Sequence, residues 1–553
     1  MIISHFNRFV RFLWTTKDLK LIQIYYQFKV KSFKLRGRPN IYSKSKNFKK
    51  INNWRTPTKK IDQTIDGHTF FFLNEIGSLD DGWNSLSKST LWNYNLHYQN
   101  YLAEEALDQN TKSDLIEKWI DENILFSSVG WDPYTSSIRI INWIKFFGGT
   151  PNYYIKRKWL NSLNTQTIYL FHNIEFHLQA NHVFTNAKAL FFSGIFLDNQ
   201  DIARKGAHLL YKQIIEQFDT NGGHFERSPM YHSILIWDLL DIYKLINEYE
   251  LSKKYKNLKE QVEQNIILGI SWYEKMSHPD GFPAFFGDSC LSTTISLSDI
   301  KGYAIEQKLD LNIATNENNQ ELKLENLDDS GFCILEKKDT FKIMYNVGEI
   351  APKYQPAHSH ADTLSCEISV FGMRLFVNSG VSTYEESSLR HYQRSTKSHN
   401  TLEYDKKNSS QVWKSFRIGK KAKVINYDFY KNEEFLSASA SHNGYSNFLS
   451  TIIHKRKIIY RNSIITIQDN INSHKKSYIF WHLHPSVEIV SHTKSFIIVK
   501  LGTRKLKITF FGGTFEIKDG FWYPSHGKKK ENFTLKIRVI GGSVKTNINY
   551  EQA

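Results

Sequence analysis

The sequence predicts a multidomain α+β protein, a helical array followed by an antiparallel β-domain, and three observations carry that reading. From about residue 85 to 310, apolar residues recur at i, i+3 and i+4, as in LWNYNLHYQNYLAEEAL, SSIRIINWIKFF, AKALFFSGIFL and HSILIWDLLDIYKLI, the period of amphipathic helices. After about 328 the chain turns to short β-branched or aromatic runs bounded by Gly, Asn, Asp or Ser, among them GFCILEK, TFKIMYNV, LSCEISVF and KLKITFFG. Finally, 553 residues exceed what one hydrophobic core usually organises.

Three segments follow from this texture. Residues 1–84 are expected to be a basic N-terminal helical segment, 85–315 the helical domain and 328–553 the antiparallel β-sheet domain. The boundary is placed in TNENNQELKLENLDD, where hydrophobic periodicity lapses and charge and Asn dominate. No repeat of fixed period is evident in the helical half, so the array is read as helix–turn–helix units whose concave side is lined by helix termini and loops.

Composition excludes several function classes. The net charge of +17 is concentrated in residues 1–60, which hold sixteen Lys/Arg against a single acid, Asp18. The rest of the chain is nearly balanced, which argues against a nucleic-acid partner. The basic, aromatic N-terminus is suited to peripheral association with an anionic membrane or to holding an acidic glycan; a solvated arm lying on the body is the plain alternative. Cys290, Cys333 and Cys366 are too few and too scattered for a disulfide framework or a zinc ribbon. The opening segment is broken by Arg8, Arg11, Lys17, Asp18 and Lys20 before it reaches the length of a secretory h-region, and no run approaches a membrane span. The expectation is a cytoplasmic protein, peripheral to the inner membrane where residues 1–60 engage it.

Polar residues gather at three places. Asn181-His182-Val183-Phe184-Thr185-Asn186 opens the helix AKALFFSGIFL; helix capping accounts for Thr185 or Asn186 but less well for Asn181 and His182. In GGHFERSPMYH, Ser228 reads as an N-cap with Pro229 at the first helical position, which puts Tyr231 in the first turn. The helix field and Arg227 are both expected to favour its tyrosinate, although a core tyrosine with a satisfied hydroxyl fits the same pattern. In His358-Ser359-His360, two imidazoles share one side of an extended segment, a spacing that suits a metal pair or one catalytic and one structural imidazole; hydrogen-bonded structural histidines are the commoner occurrence.

The runs LWNYNLHYQNYL, GWDPYTSSIRIINWIKFF, NHVFTNAKALFFSGIFL, GGHFERSPMYH and HSHADTLSCEISVFGMRLFVNSG with RSTKSHNTLEYD, taken in order over about 90 to 420, resemble the heparinase II/III-like family of polysaccharide lyases. The resemblance implies that the helices close into an (α/α) toroid and that the β-domain is an antiparallel β-sandwich. It makes Asn181 the group that binds a uronate carboxylate, with His182 beside it, and Tyr231 and His358 the acid–base pair. Within the same runs, Arg227, Glu226, His224, Trp131, Tyr94 and Arg394 are expected to contact substrate. His360, His399 and Asn378 match a structural metal site, zinc-like, that in such relatives is His, Asp and His; the chemistry itself requires no cofactor. Asn378 departs from that pattern, and a neutral amide is a poorer zinc ligand, so weakly held metal or hydrogen bonds in its place are both expected there.

The implied substrate is an acidic polysaccharide whose uronate loses its C5 proton. Returning a proton to the opposite face of C5 would epimerise the sugar; protonating the oxygen leaving C4 would break the chain. Because an enzyme without an export signal would more reasonably modify a capsule-type polymer than cleave it, a D-glucuronyl C5-epimerase acting on a heparosan-like chain is expected. An eliminative lyase is the alternative, and a non-catalytic glycan-binding protein a further one.

Overall fold

A computed structural model of the chain describes residues 2–36, 48–50, 54–56, 63–125, 128–311 and 321–550. Two helices open it, α1 (Ile2–Thr16) and α2 (Leu21–Arg36), followed by a small hairpin of strands Thr69–Phe72 and Glu75–Ser78. The helical domain then runs through α3 (Thr90–Tyr98), α4 (Gln109–Glu122), α5 (Pro133–Gly149), α6 (Arg157–His172), α7 (Ala180–Phe196), α8 (Gln200–Gln217), α9 (Pro229–Glu248), α10 (Lys256–Lys275) and α11 (Leu297–Glu306). Most of its aromatic content is core: Trp92, Trp119, Trp143, Trp159 and Trp272 are all fully buried. Burying such side chains drives the array together far more than helix propensity does.

Among the described residues the β-domain contains three large antiparallel sheets and a two-stranded one of Val412–Trp413 and Arg417–Ile418. A five-stranded meander runs through Leu322–Leu327, Phe332–Lys337, Phe341–Asn346, Cys366–Val370 and Met373–Phe376. An eight-stranded sheet starts at Val424–Lys431 and ends on Glu488–His492, and a four-stranded sheet is built around Lys528–Val539 and Ser477–His482. Alternating exposure is clean where one face is solvated, as along Ile464–Ile471. Side chains from all three large sheets share one core, including Ile343, Ile368, Leu402, Ile467, Trp481 and Ile537. The sandwich expected from the sequence is therefore present.

The segment boundaries differ from the sequence reading in two places. The first strand begins at Leu322, inside the stretch read as a linker, because LKLENL is an edge strand whose Lys323, Glu325 and Asn326 disguise its alternation. Residues 1–84 also include the strands Thr69–Phe72 and Glu75–Ser78, so that segment is not wholly helical. Residues 37–47 of the basic arm and 312–320 at the boundary lie outside the described residues. Among the described residues no helix is long and apolar enough to cross a membrane.

α7 is the central strut, packing on α5, α6, α8 and α9. Its contact with α8 is backbone against backbone: a Cβ on Gly206 would lie 2.4 Å from the Phe191 nitrogen, and one on Gly194 would lie 2.3 Å from the Ala203 nitrogen. Neither neighbour is a flexible side chain that can move aside. Gly206→Ala is expected to destabilise the protein by about 1–3 kcal/mol despite the better helix propensity of Ala. Gly149→Ala at the end of α5, where nothing lies within 4 Å, should be near neutral in the same chemical-denaturation measurement.

Candidate functional site

Ser228 caps α9 by accepting a hydrogen bond from the Tyr231 nitrogen at 3.3 Å, with Pro229 at the first helical position, as the sequence predicts. Tyr231 therefore projects from the first turn of α9. α7 begins at Ala180, earlier than expected, after Gln179 and Ala180 take left-handed φ values of 65° and 53° with no side-chain cap. Asn181 and His182 thus occupy its first turn, while Thr185 and Asn186 lie inside the helix and cap nothing. Asn186 instead accepts from the Glu175 nitrogen at 2.9 Å and donates to the Glu175 carboxylate at 3.1 Å, fixing an acid that stands 3.3 Å from His182 Nδ1.

These groups face a cleft of about 2080 Å³ between the helical domain and the β-domain. The helical side contributes Tyr94, Asn181, His182, Glu226 and Tyr231; the β-side contributes His358, Tyr384 and Trp413. The rings of Tyr231 and His358 touch, tilted by 35° with centroids 4.0 Å apart, so the sequence-predicted pair meets across the domain boundary. The Tyr231 hydroxyl lies 3.3 Å from that of Tyr384.

Beneath the pair is Asp288, fully buried in the loop between α10 and α11. One carboxylate oxygen accepts from His358 Nδ1 at 2.9 Å and the other from His360 Nε2 at 2.8 Å. Arg390 closes a fork on both, at 2.5 and 2.8 Å. Burial alone would raise the Asp288 carboxyl, but Arg390 and the two imidazoles overcome it and hold it well below the usual carboxylate range. The two imidazoles do share one side of their segment, and the group they share is this carboxylate. With Nδ1–H committed to Asp288, His358 keeps its lone pair on Nε2, the tautomer a general base needs.

The electrostatics of Tyr231 run opposite to the sequence expectation. Burial, then the neighbouring Tyr384 and Asp288, push its phenol well above the ordinary value of 10. Arg227 does not assist, because its guanidinium turns away to donate to the carbonyls of Glu349 at 2.6 Å and Asp329 at 3.1 Å. Tyr231 is accordingly a proton donor at neutral pH. His182 differs: burial alone would lower it, but Glu175, with Glu226 and Asp132 adding, holds the imidazole above its ordinary 6.5. The Glu226 carboxyl is pushed up by burial, with His358 and His182 opposing, and its Oε2 has no hydrogen-bond partner among the described residues.

Four other expected contacts fall elsewhere. Arg227 braces the loops just named. His224 is buried with Nε2 3.0 Å from Gln217 Oε1, and Trp131 packs against Trp119 and Tyr169 while donating to the Asn123 carbonyl at 3.2 Å. Arg394 is buried and donates to the carbonyls of Lys414 at 2.8 Å and Ser359 at 3.1 Å. Each is a framework residue of the motif that carries it. Tyr94 does line the cleft, its hydroxyl donating to Asp132 at 2.7 Å.

Of the expected metal triad, the two imidazoles face each other but the Asn378 amide is turned to other partners. Both ends of the Asn378 amide are committed, Oδ1 to the Asn400 nitrogen at 3.1 Å and Nδ2 to the Phe285 carbonyl at 3.2 Å. His399 donates Nδ1–H to the Ser395 carbonyl at 2.8 Å, and its Nε2 lies 3.1 Å from His360 Nδ1. With Nε2–H of His360 given to Asp288 and Nδ1–H of His399 given to Ser395, and burial pushing both imidazoles below their ordinary value, the two facing nitrogens both carry lone pairs and no hydrogen bond joins the rings. Among the described residues no three His, Cys, Asp or Glu are arranged around a common ion position.

The helical domain supplies Tyr231 and the β-domain His358, which defines a toroid-and-sheet protein with a cleft between its domains. The chain belongs to the heparinase II/III-like family: the family's N-terminal domain matches residues 84–306 and its C-terminal domain residues 319–551. The heparin-sulfate lyase of Pedobacter heparinus is 29% identical over 139 residues, 24% of this chain and 20% of that protein, so the match spans about a fifth of that relative. A crystal structure of heparinase III superposes with a TM-score of 0.65 at 17% identity, covering 80% of this chain and 74% of that one. A heparan sulfate lyase structure from Pedobacter heparinus gives 0.59 at 18% identity, covering 96% and 87%. These two likenesses speak to the fold.

Asp288→Asn keeps the size of the group but leaves Arg390 without its counter-ion. Breaking a buried pair on one side costs about 3–5 kcal/mol, so the melting temperature should fall clearly. Any activity that depends on His358 should fall by about 10²–10⁴ even in the folded fraction, because the ionised acceptor that orients its ring is gone. An Asp288→Asn protein of unchanged stability would show that the carboxylate is not the anchor of this cluster.

Proposed function

We propose that the protein is a polysaccharide lyase that cleaves an acidic, uronate-containing glycan by removing the C5 proton and expelling the oxygen at C4. The observation that carries the reading is the touching Tyr231–His358 pair at the wall of the cleft, with Asn181, His182 and Glu226 lining the same cleft. A uronate carboxylate received by the Asn181 amide and the His182 imidazolium has the charge of its developing enolate offset before the proton leaves. His358 Nε2 takes the C5 proton. Tyr231, kept protonated by its surroundings, donates to the departing C4 oxygen, leaving a C4–C5 double bond.

The epimerase expected from the sequence would need a proton delivered to the opposite face of C5. Rings in contact, with centroids 4.0 Å apart, leave no room for a sugar between them and so approach it from one side rather than bracketing it, which favours elimination. The names of the relatives point the same way: one is a heparin-sulfate lyase and another heparinase III. Heparosan and related glycosaminoglycans are therefore the first substrates to try.

In deuterated water, incubation with a panel of uronate polymers should yield chain shortening and the ultraviolet absorbance of an unsaturated uronate, with no inverted sugar. Inversion of glucuronate to iduronate without shortening would replace this reading by epimerisation. Neither product across the panel would leave a glycan-binding protein.

Tyr231→Phe and His358→Ala should each lower kcat by about 10²–10⁴ with the fold retained, as expected of proton-transfer groups. Near-normal kcat in either would remove that residue from the pair. The charge on His182 gives a further expectation. Its raised pKa means that the imidazolium is present below the ordinary 6.5 and lost as pH rises through the higher value it has in the folded protein. Glycan affinity should fall along that alkaline limb, and His182→Gln should flatten it in a titration of Kd against pH.

A further inference from the structure

Residues 2–36 lie outside both family matches, yet α1 and α2 are attached to both domains at once. On the helical side Lys20 pairs with Glu216, and the Tyr26 ring packs on Phe176 at 4.8 Å. On the β-side the Lys20 ammonium sits 3.9 Å from the centre of the Tyr354 ring, and Lys421 pairs with Asp18 at 2.7 Å. Trp413 is held twice, by its Nε1–H donating to Thr15 Oγ1 at 3.2 Å and by Arg11 lying 4.6 Å over its ring. The hairpin therefore bridges the cleft boundary, and its inner side is part of the cleft wall: Phe12, Leu19, Ile24, Phe28 and Lys31 line the same space as Tyr231 and His358.

We propose that this N-terminal hairpin is a strap that forms an outer binding wall for the acidic polysaccharide, gripping sugar units beyond those at the reacting bond. The inference rests on the uronate-glycan reading above. Phe12 and Phe28 are 58% and 68% exposed, an arrangement with no folding advantage unless something covers them. The apolar face of a pyranose ring suits aromatic rings, and the carboxylates of successive uronates suit Lys31 of the strap with Lys414 and Arg417 of the adjoining β-domain loop, all of which line the cleft. Deeper in the cleft the cations are already neutralised: Lys188 pairs with Asp238 and Asp241 at 2.6 Å, and Lys145 with Asp241 at 2.6 Å. The outer wall is thus where a polyanion meets uncommitted charge. A lipid surface is the competing occupant for basic, aromatic helices, but the residues named here face a walled cleft that a bilayer cannot enter.

The test compares heparosan polymer with its tetrasaccharide on the full chain. Lys20→Glu with Lys421→Glu sets like charges against Glu216 and Asp18 and should release the strap, read as faster amide hydrogen exchange over residues 8–32. Phe12→Ser with Phe28→Ser alters only exposed side chains and should leave the strap docked. In both pairs, Kd for the polymer should rise by about tenfold or more and Kd for the tetrasaccharide by about twofold at most, the difference being the contacts made by distal sugars. Polymer affinity within about twofold of the parent in both pairs, at a precision set by the same arithmetic, would overturn the strap. So would loss of co-sedimentation with phosphatidylglycerol vesicles in Phe12→Ser with Phe28→Ser while polymer affinity holds, an outcome that assigns the hairpin to lipid. A parent protein that binds neither heparosan length would instead remove the glycan reading itself.

Discussion

The buried carboxylate of Asp288 is the interaction on which the rest of the site depends. A lone carboxylate in a fully desolvated position would be driven to its neutral form, and here a forked Arg390 and two imidazole N–H groups prevent that. Its partners come from distant parts of the chain: the loop after α10, the connection leading to strand Cys366–Val370, and the short helix Ser388–Gln393. One ionised group therefore sets the orientation of His358, the position of His360 and the docking of the β-domain loops against the helical domain. Gly287 allows the close approach that this needs, since a Cβ there would lie 2.7 Å from the His358 carbonyl and its φ is 57°.

From that anchor the division of labour between the two catalytic candidates follows. His358 and Tyr231 touch yet are held differently, the imidazole by a hydrogen bond from Nδ1–H to the Asp288 carboxylate, the phenol pushed above its ordinary value by burial beside another phenol and that same carboxylate. Proximity of an acid and a base is productive only when their protonation states differ at the working pH. Beside this pair the His360 and His399 rings face each other, and the Asn378 amide, committed to Asn400 and Phe285, stands where the family pattern has a carboxylate ligand.

What could be read in the sequence divides along physical lines. Periodicity revealed the helical and β halves because burial is imposed on every turn and every strand, and Ser228-Pro229 located the start of α9 because capping chemistry is local. The start of α7 was misplaced because Gln179 and Ala180 enter the helix through left-handed conformations that neither residue type announces. Strand Leu322–Leu327 was taken for linker because an edge position tolerates charge. Asp288, Tyr384 and Arg390 were missed entirely: each is a common residue in a loop or short helix, and its importance arises from groups 70 to 153 positions away that only the fold brings near. The only local hint was Gly287-Asp288 in an otherwise aromatic run, FFGDSC. Conversely, Arg227, His224, Trp131 and Arg394 sit in the right motifs and do structural work, since a motif is held in place by more residues than touch the ligand.

The split of the acid–base pair between domains has a mechanical consequence. A tyrosine on α9 and a histidine on a β-domain connection keep their 4.0 Å contact only while the domains keep their relative position. Side-chain bonds across the boundary, such as Asp288 with His358 and Arg390, fix it near the reacting groups, but a cleft long enough for a polymer has a mouth far from them. Lys20 is engaged by Glu216 on one domain and Tyr354 on the other, so the N-terminal hairpin ties the boundary at the opposite edge of the cleft. Exposed ion pairs and single cation–π contacts are each worth only about 0.5–1 kcal/mol. A tie of that strength holds the boundary in one arrangement without locking it, so the two domains can part at that edge at modest cost.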